Sequence, residues 1–428
     1  VRTKPIALTS RTPSDNFLRT YLSAGGLMGI RQSRFMLAAA VFLLSAGICR
    51  ADDFFQLMAT GTGGTTVNAQ GGNVIDLVNH LINENNQFNS LAGQGFTSTL
   101  TYGGVKNAAV FTENASGTQA TLTFPSTGFT KTFTATANES LETEIEDFIK
   151  QDGADAYGDF LRSINRLSPV AEIDGNPQAS TAVIADEAFS DFGFDPVAAG
   201  RHGEFRITGD GGNASAAGLD GYFAQLQMTD DFALCDCVSL TWSLGGEYRV
   251  MGDSEAYTVG MILGLPIAIA HQEPHDGFAW EITPWGFGGL SASVDQAAGD
   301  VLVGGGGTSS MDYRLGPFVF TLADQISFAG SIGVSYGNYS FDVPINQWIT
   351  KNGVDVAFSP LGGFGFIDGG ISLTDFLSHA AVPDYWSPEV GVGLNLGKGS
   401  YLRVAYQGDF GQQGYKANGV DVILALKF

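Results

Sequence analysis

The chain contains no run of eighteen apolar residues, so no segment reads as an ordinary transmembrane helix. Charge is scarce as well: Lys, Arg, Asp and Glu make up 15% of the 428 residues, which excludes the composition of a disordered chain or of an ordinary cytosolic enzyme. The shortage is sharpest for base, with 21 Lys and Arg against 44 Asp and Glu and a formal net charge of −23. With no basic patch to neutralise phosphates, nucleic acid is excluded as a partner. Only three cysteines occur, too few for a disulfide framework. Glycine (58) and phenylalanine (31) are abundant instead. A chain without spanning helices crosses a membrane only as a closed barrel, because lipid leaves no partner for an open backbone.

The first 51 residues differ from the rest. Arg31 and Arg34 precede an apolar segment, Phe35 to Ile48, too short to span, and Cys49-Arg50-Ala51 offers small residues for cleavage. The pattern predicts a secretory signal over 28–51, a start at Met28 and a mature chain from about Asp52, with Val1 to residue 27 an overextended start. Residues 1–51 hold seven of the bases and one of the acids, which leaves 14 bases against 43 acids beyond them, a net of −29. After cleavage Cys235 and Cys237 remain. Export permits a disulfide between them, and Leu234-Cys235-Asp236-Cys237 reads as a turn. Two sulfurs are too few for a metal site, and no cofactor is expected.

Residues 52–170 read as an exported α+β domain. Val74, Val78, Leu81 and Ile82 share a helical stripe within 73–91, and 96–103, 107–113, 118–124 and 130–136 read as four short strands separated by turn residues. Ser140 caps a helix that Gly153 interrupts, and a second piece ends at Ser168-Pro169. Residues 171–203 read as a linker or plug, with a short helix predicted from Ser180 to Phe189.

From Glu204 to Phe428 the period is two. Tyr257, Val259, Met261, Leu263 and Leu265 alternate with Thr258, Gly260, Ile262 and Gly264; Ile326, Phe328, Ile332, Val334 and Tyr336 alternate with small or polar residues. Windows longer than ten residues suit a tilted membrane strand better than a globular one. Twelve windows are countable, with the longer connections mostly on one side: 210–218, 292–309, 342–352, 375–387 and 411–417, the short Met251-Gly252-Asp253 being the exception. The opposite side has short turns at Ala323-Asp324, 360–362 and 397–399. The fold class is an all-β membrane barrel of about twelve antiparallel strands behind a smaller α+β domain. Arg206, Glu247, Arg249, Glu281, Asp312, Arg314, Asp355, Glu389, Arg403 and Asp421 share the inward phase, where charge in a membrane belongs. They form either a lumenal ion-pair network or a solute path.

Three motifs have duller readings. Gly333-Val334-Ser335-Tyr336-Gly337 matches a nucleophile elbow but sits in a strand pattern rather than at a strand-to-helix turn, which makes Ser335 a lumenal residue. His271 and His275 have zinc-motif spacing, but Pro274 opposes the helix, so a turn is expected. Gly304 to Gly307 lacks the Lys that follows a phosphate loop and reads as a loop. No Ser-His constellation is found, and no enzyme is expected.

The last ten residues, Gly419 to Phe428, place Val420, Val422, Leu424, Leu426 and Phe428 on one face. This strand resembles the closing strand of bacterial outer-membrane β-barrels. The resemblance implies an outer-membrane location, lipid as a partner, and Leu424, Leu426 and Phe428 as the signal read by the barrel-assembly machinery. An exported domain before such a barrel also resembles the layout of autotransporters, which implies anchoring or translocation of residues 52–170. The alternative function is a solute channel with a periplasmic accessory domain.

Overall fold

The computed structural model describes residues 53–428 apart from 73–87, 92, 137–139, 151–152, 172–174, 195–202, 271–276, 294, 296–297, 333–334, 337–338, 341–344, 361–362 and 379. The signal, Met28 and the turn around His271 and His275 lie outside the described residues. So does the expected helix over 73–91, except for a single 3-10 turn at Phe88–Leu91.

The N-terminal domain is a six-stranded antiparallel sheet backed by two helices. Its strands are β1 (Phe55–Gly61), β2 (Thr66–Gly71), β3 (Phe96–Tyr102), β4 (Val105–Glu113), β5 (Gln119–Phe124) and β6 (Phe129–Thr134), in the order β2-β1-β3-β4-β5-β6. The two strands before residue 72 escape a sequence reading because their Gly, Thr and Gln content resembles a loop. Helices α1 (Leu141–Lys150) and α2 (Gly153–Leu167) cover one face. Phe160 stacks on Phe124 with ring centroids 4.5 Å apart, and Phe133 meets Phe148 edge-on at 5.4 Å. Burial of these aromatic rings supplies the domain's core.

Residues 204–428 close into an antiparallel barrel of twelve strands: β7 (Glu204–Ala216), β8 (Leu219–Cys235), β9 (Val238–Met251), β10 (Ser254–Gly264, continued as Ile267–Ala270), β11 (Gly277–Ser293), β12 (Ala298–Leu315), β13 (Phe318–Ile332), β14 (Asn346–Phe358), β15 (Gly365–Phe376), β16 (Asp384–Gly397), β17 (Ser400–Gly411) and β18 (Lys416–Lys427). Both pieces of β10 pair with β9 and β11, and the break falls at Leu265-Pro266, where proline has no N–H to give the ladder. The last strand pairs with the first from Lys416↔Ser215 to Lys427↔Glu204, so no edge is left open.

Burial decides between a membrane barrel and a sandwich. Leu226, Val259, Leu290, Ile326, Val392 and Tyr406 are all about half exposed, and they point outward around the whole ring. A soluble sandwich would press these faces together; here they form an apolar belt around the outside of a closed barrel, the pattern of a membrane barrel. Tyr222, Tyr248 and Tyr257 cluster near one rim, and Phe318 meets Phe358 at 5.0 Å near the other, at the levels where aromatic girdles sit.

Several boundaries differ from the expectation. Gly304 to Gly307 is not a loop but the middle of β12, paired with β11 and β13. A Cβ at Gly306 would come 2.8 Å from Trp285 Cζ2, so the missing side chains make room for aromatic rings of the neighbouring strand. Ala323-Asp324 lies within β13, and the turn falls at Gly316-Pro317. The connection expected over 292–309 shrinks to 294–297, and 210–218 shrinks to Ala217-Gly218, because polar inward residues extend the strands further than hydrophobicity indicates. Among the described residues Ser335 is not part of the barrel wall: β13 runs to Ile332, and Ser335–Tyr336 pairs with Tyr339–Ser340. Alternation is a local property of the chain and does not by itself show that a neighbouring strand pairs with it.

Candidate functional site: the plugged lumen

The chain first enters the wall at Glu204, and its last residue lies beside that point, with the Phe428 amide donating to Gly203 O at 3.1 Å. The N-terminal domain sits on the opposite end. Phe54 N donates to Gly252 O (3.0 Å) in the β9–β10 turn, and Gly175 O accepts from Ala381 N (2.9 Å) and Val382 N (3.2 Å) in the β15–β16 connection. At Gly104, whose φ is +81°, a Cβ would meet the Ala217 Cβ at 2.5 Å, so glycine serves there both the backbone and the close approach to the β7–β8 turn. Phe54, Tyr102, Phe160 and Leu161 belong to the same buried cluster as Ala216, Leu219, Met251 and Tyr415 of the barrel rim. An apolar layer thus seals that mouth.

Between domain and wall, helix α3 (Ser180–Phe192) runs inside the barrel with nearly every residue buried. The sequence predicted its start, but not its last turn or its packing. At the domain end, Ser180 Oγ lies 2.6 Å from Thr258 Oγ1 and donates to Ser291 Oγ at 2.8 Å. Midway, Gln325 Nε2 donates to Ala185 O (2.8 Å), while Asp186 binds Lys351 Nζ (2.9 Å) and the Tyr385 hydroxyl (2.9 Å). Glu187 Oε1 accepts from Gln225 Nε2 at 2.7 Å. Toward the other end, Asp191 accepts from Thr229 Oγ1 (2.9 Å) and Gln227 Nε2 (3.0 Å), and Ser310 Oγ donates to Gly193 O (2.7 Å).

Inward glycines receive the helix. A Cβ at Gly264 would lie 2.8 Å from Cε1 of the Phe192 ring and closer still to Cζ; one at Gly245 would meet Glu187 Cδ at 2.8 Å; one at Gly353 would meet the Phe194 ring at 2.5 Å. These residues break the apolar alternation toward small inward positions, and that is the signal by which a sequence reading would find them.

The helix is seated off-centre. Ile184 packs over Gly260 and Gly289, and Phe192 over Gly264, on the β10–β11 side. Opposite, a cavity of ≈150 Å³ remains, walled mainly by β7, β8 and β14 to β18. Six of the predicted charges line it: Arg206, Glu247, Asp355, Glu389, Arg403 and Asp421. Arg403 is their hub. Its Nε donates to Asp368 Oδ2 at 2.9 Å, and its Nη2 also pairs with Glu389. Arg206 pairs with Glu204 at 2.8 Å. The other four keep the inward phase away from this cavity: Arg249 is buried, Asp312 accepts from Thr321 Oγ1 at 2.7 Å, Glu281 accepts from Thr283 Oγ1 at 3.4 Å, and Arg314 lies two residues beyond Asp312.

The sequence reading missed Asp186, Glu187, Asp210, Lys351, Asp368 and Asp409, which line the same space. Asp210 stands directly across the β7–β18 pair from Asp421. Nine carboxylic acids and three bases line the cavity, an acidic excess. Among the described residues no group of three or more His, Cys, Asp or Glu is arranged to hold a metal ion. Cys235 and Cys237 lie far from this space, at the rim opposite the domain, with sulfurs 3.6 Å apart.

No protein-family model matches the chain, and no curated protein does. Solved structures with a similar architecture include the translocator domain of the autotransporter NalP from Neisseria meningitidis, 12% identical with a TM-score of 0.42, over 58% of this chain and 97% of that one. The transport unit of the autotransporter AIDA-I from Escherichia coli is 12% identical with a TM-score of 0.40, over 58% and 98%. The NanC porin is 8% identical with a TM-score of 0.34, over 52% and 100%.

Proposed function

We propose that the protein is an outer-membrane anchor in which the barrel holds the N-terminal domain at the cell's outer face, with the connecting chain passing through the pore. One observation carries the reading: the domain caps the end of the barrel opposite its own first and last strands' termini, and α3 bridges the two through the lumen. A barrel whose termini face the periplasm puts the other rim, and the domain docked on it, outside. Leu424, Leu426 and Phe428 face outward on the closing strand, where assembly machinery and lipid have access to them; Phe428 is 84% exposed. The role is structural and non-catalytic. Shaving intact cells with protease tests it. Loss of the 52–170 domain with survival of a plugged barrel is expected; a domain that is degraded only after the outer membrane is breached refutes the orientation.

A second reading, a cation-preferring solute path, is favoured by the off-centre seat of α3 and the acidic cavity beside it. The apolar layer under the domain closes that path at one end, so the anchor reading stands first. Planar-bilayer recording separates them: a path gives discrete, cation-selective openings in the intact protein, and an anchor gives openings only after the domain or α3 is dislodged.

A further inference from the structure

The β8–β9 hairpin carries two thiols that neither the plug nor the seal uses. β7 pairs with β8 only as far as Asp230, while β8 continues to Cys235, so the hairpin tip overhangs the wall on that side. Every residue from 232 to 237 is exposed. The ladder shifts register between Ala233 and Cys235, and a bulge of this kind bends a strand and re-aims its side chains. The turn that follows leaves Cys235 Sγ and Cys237 Sγ 3.6 Å apart. A disulfide needs about 2.05 Å between sulfurs, a gap that side-chain rotation closes.

We infer that Cys235 and Cys237 form a dithiol–disulfide exchange site whose co-reactant is a protein bearing a reactive disulfide. A purely structural bridge fits poorly here. It would close a loop of about three residues, and the stabilisation a disulfide draws from the unfolded chain grows with loop length. The hairpin is in any case already held by its ladder from Gly221↔Met251 to Ala233↔Ser239. Exposed, tightly closed disulfides belong to the exchangeable class.

The chemistry balances. One cysteine thiolate attacks a sulfur of the co-reactant's disulfide; a mixed disulfide forms and the co-reactant's other sulfur leaves as thiolate. The second cysteine's thiolate then attacks its neighbour's sulfur, the Cys235–Cys237 bond forms, and the co-reactant's remaining sulfur leaves. The two protons of the starting thiols end on those two leaving sulfurs, so the pair loses two electrons and the co-reactant gains them. The inference rests on the proposed orientation for its compartment, since the hairpin tip lies at the rim assigned to the oxidising periplasm.

The test begins with cells making the full chain, quenched in acid, with the barrel extracted into detergent and its thiols counted by a maleimide mass tag. No tag before reduction and two after are expected; two tags before reduction overturn the site. Reduced, folded barrel mixed with a disulfide-form thioredoxin-fold oxidase should gain one disulfide per chain, and C237S should stop at a reducible mixed disulfide. Absence of transfer overturns exchange. Loss of heat-modifiable folded barrel in both C235S and C237S would overturn it too, by marking the cysteines as structural. Retention of one equivalent of zinc with both thiols protected would likewise refute it. Failure of the orientation looks different: an outer-membrane-impermeant thiol reagent would then label the reduced pair on intact cells, while transfer in detergent stayed as it was.

Discussion

Gly264→Ala is the sharpest probe of how α3 is held. The added Cβ would sit 2.8 Å from Cε1 of Phe192 and nearer still to Cζ, well inside the 3.5–4.0 Å at which carbon atoms pack. The ring cannot swing aside cheaply, because Phe192 is 1% exposed and belongs to the buried cluster of the lumen. Overpacking of this kind costs about 1–3 kcal/mol, and because the clash exists only while α3 is seated, the cost falls on the seated state. The ratio of unseated to seated helix then rises by roughly 5- to 150-fold. Planar-bilayer recording of the purified protein reads this as a matching rise in opening frequency. Gly288→Ala is the control, since its Cβ meets nothing within 4 Å. Replacing Phe192 by Leu in the Gly264→Ala background should restore most of the seating, a coupling visible in a double-mutant cycle. Equal opening frequencies for Gly264→Ala and Gly288→Ala would refute the socket reading of the inward glycines.

Other outcomes follow from the same geometry. Arg403→Ala leaves Asp368 and Glu389 facing each other without their base, and loss of one partner from a buried ionic group costs about 3–5 kcal/mol; the thermal midpoint of the heat-modifiable band should fall, and Arg403→Lys should recover only part of it because lysine lacks the fork. Phe160→Ala removes the ring stacked on Phe124 and should cost about 3–5 kcal/mol, mainly in the N-terminal domain and its seat on the barrel rim; faster proteolysis of that domain with unchanged gel mobility of the barrel is expected. Phe428→Ser should lower the yield of assembled barrel in cells but leave the midpoint of the assembled fraction nearly unchanged, since the side chain is 84% exposed and Gly203 O is held by the backbone.

Much of the wall was legible because a membrane barrel writes itself as period two. Val259, Met261, Leu263 and Leu265 face outward, as do Val420, Leu426 and Phe428, while Ile262, Ile423 and Ala425 between them are buried, as the alternation requires, and the count of twelve strands follows from it. The ends of the strands were not legible. β12 looked like a loop because glycine is a poor strand former in isolation, yet Gly304 and Gly306 hold the wall by leaving room for Phe287 and Trp285. The inward charges were visible as a phase but not as partners: Arg403 and Asp368 are 35 residues apart in sequence and meet only because β15 and β17 flank β16.

The sequence by itself determined that the carboxyl-terminal half is a barrel and which faces of its regularly alternating strands turn outward, because alternation along a strand is a local property of the chain. Only the tertiary structure decided which rim carries the N-terminal domain, where α3 sits in the bore and which charges it meets. Those depend on distances between residues remote in the chain, and strand closure sets such distances while no local pattern records them.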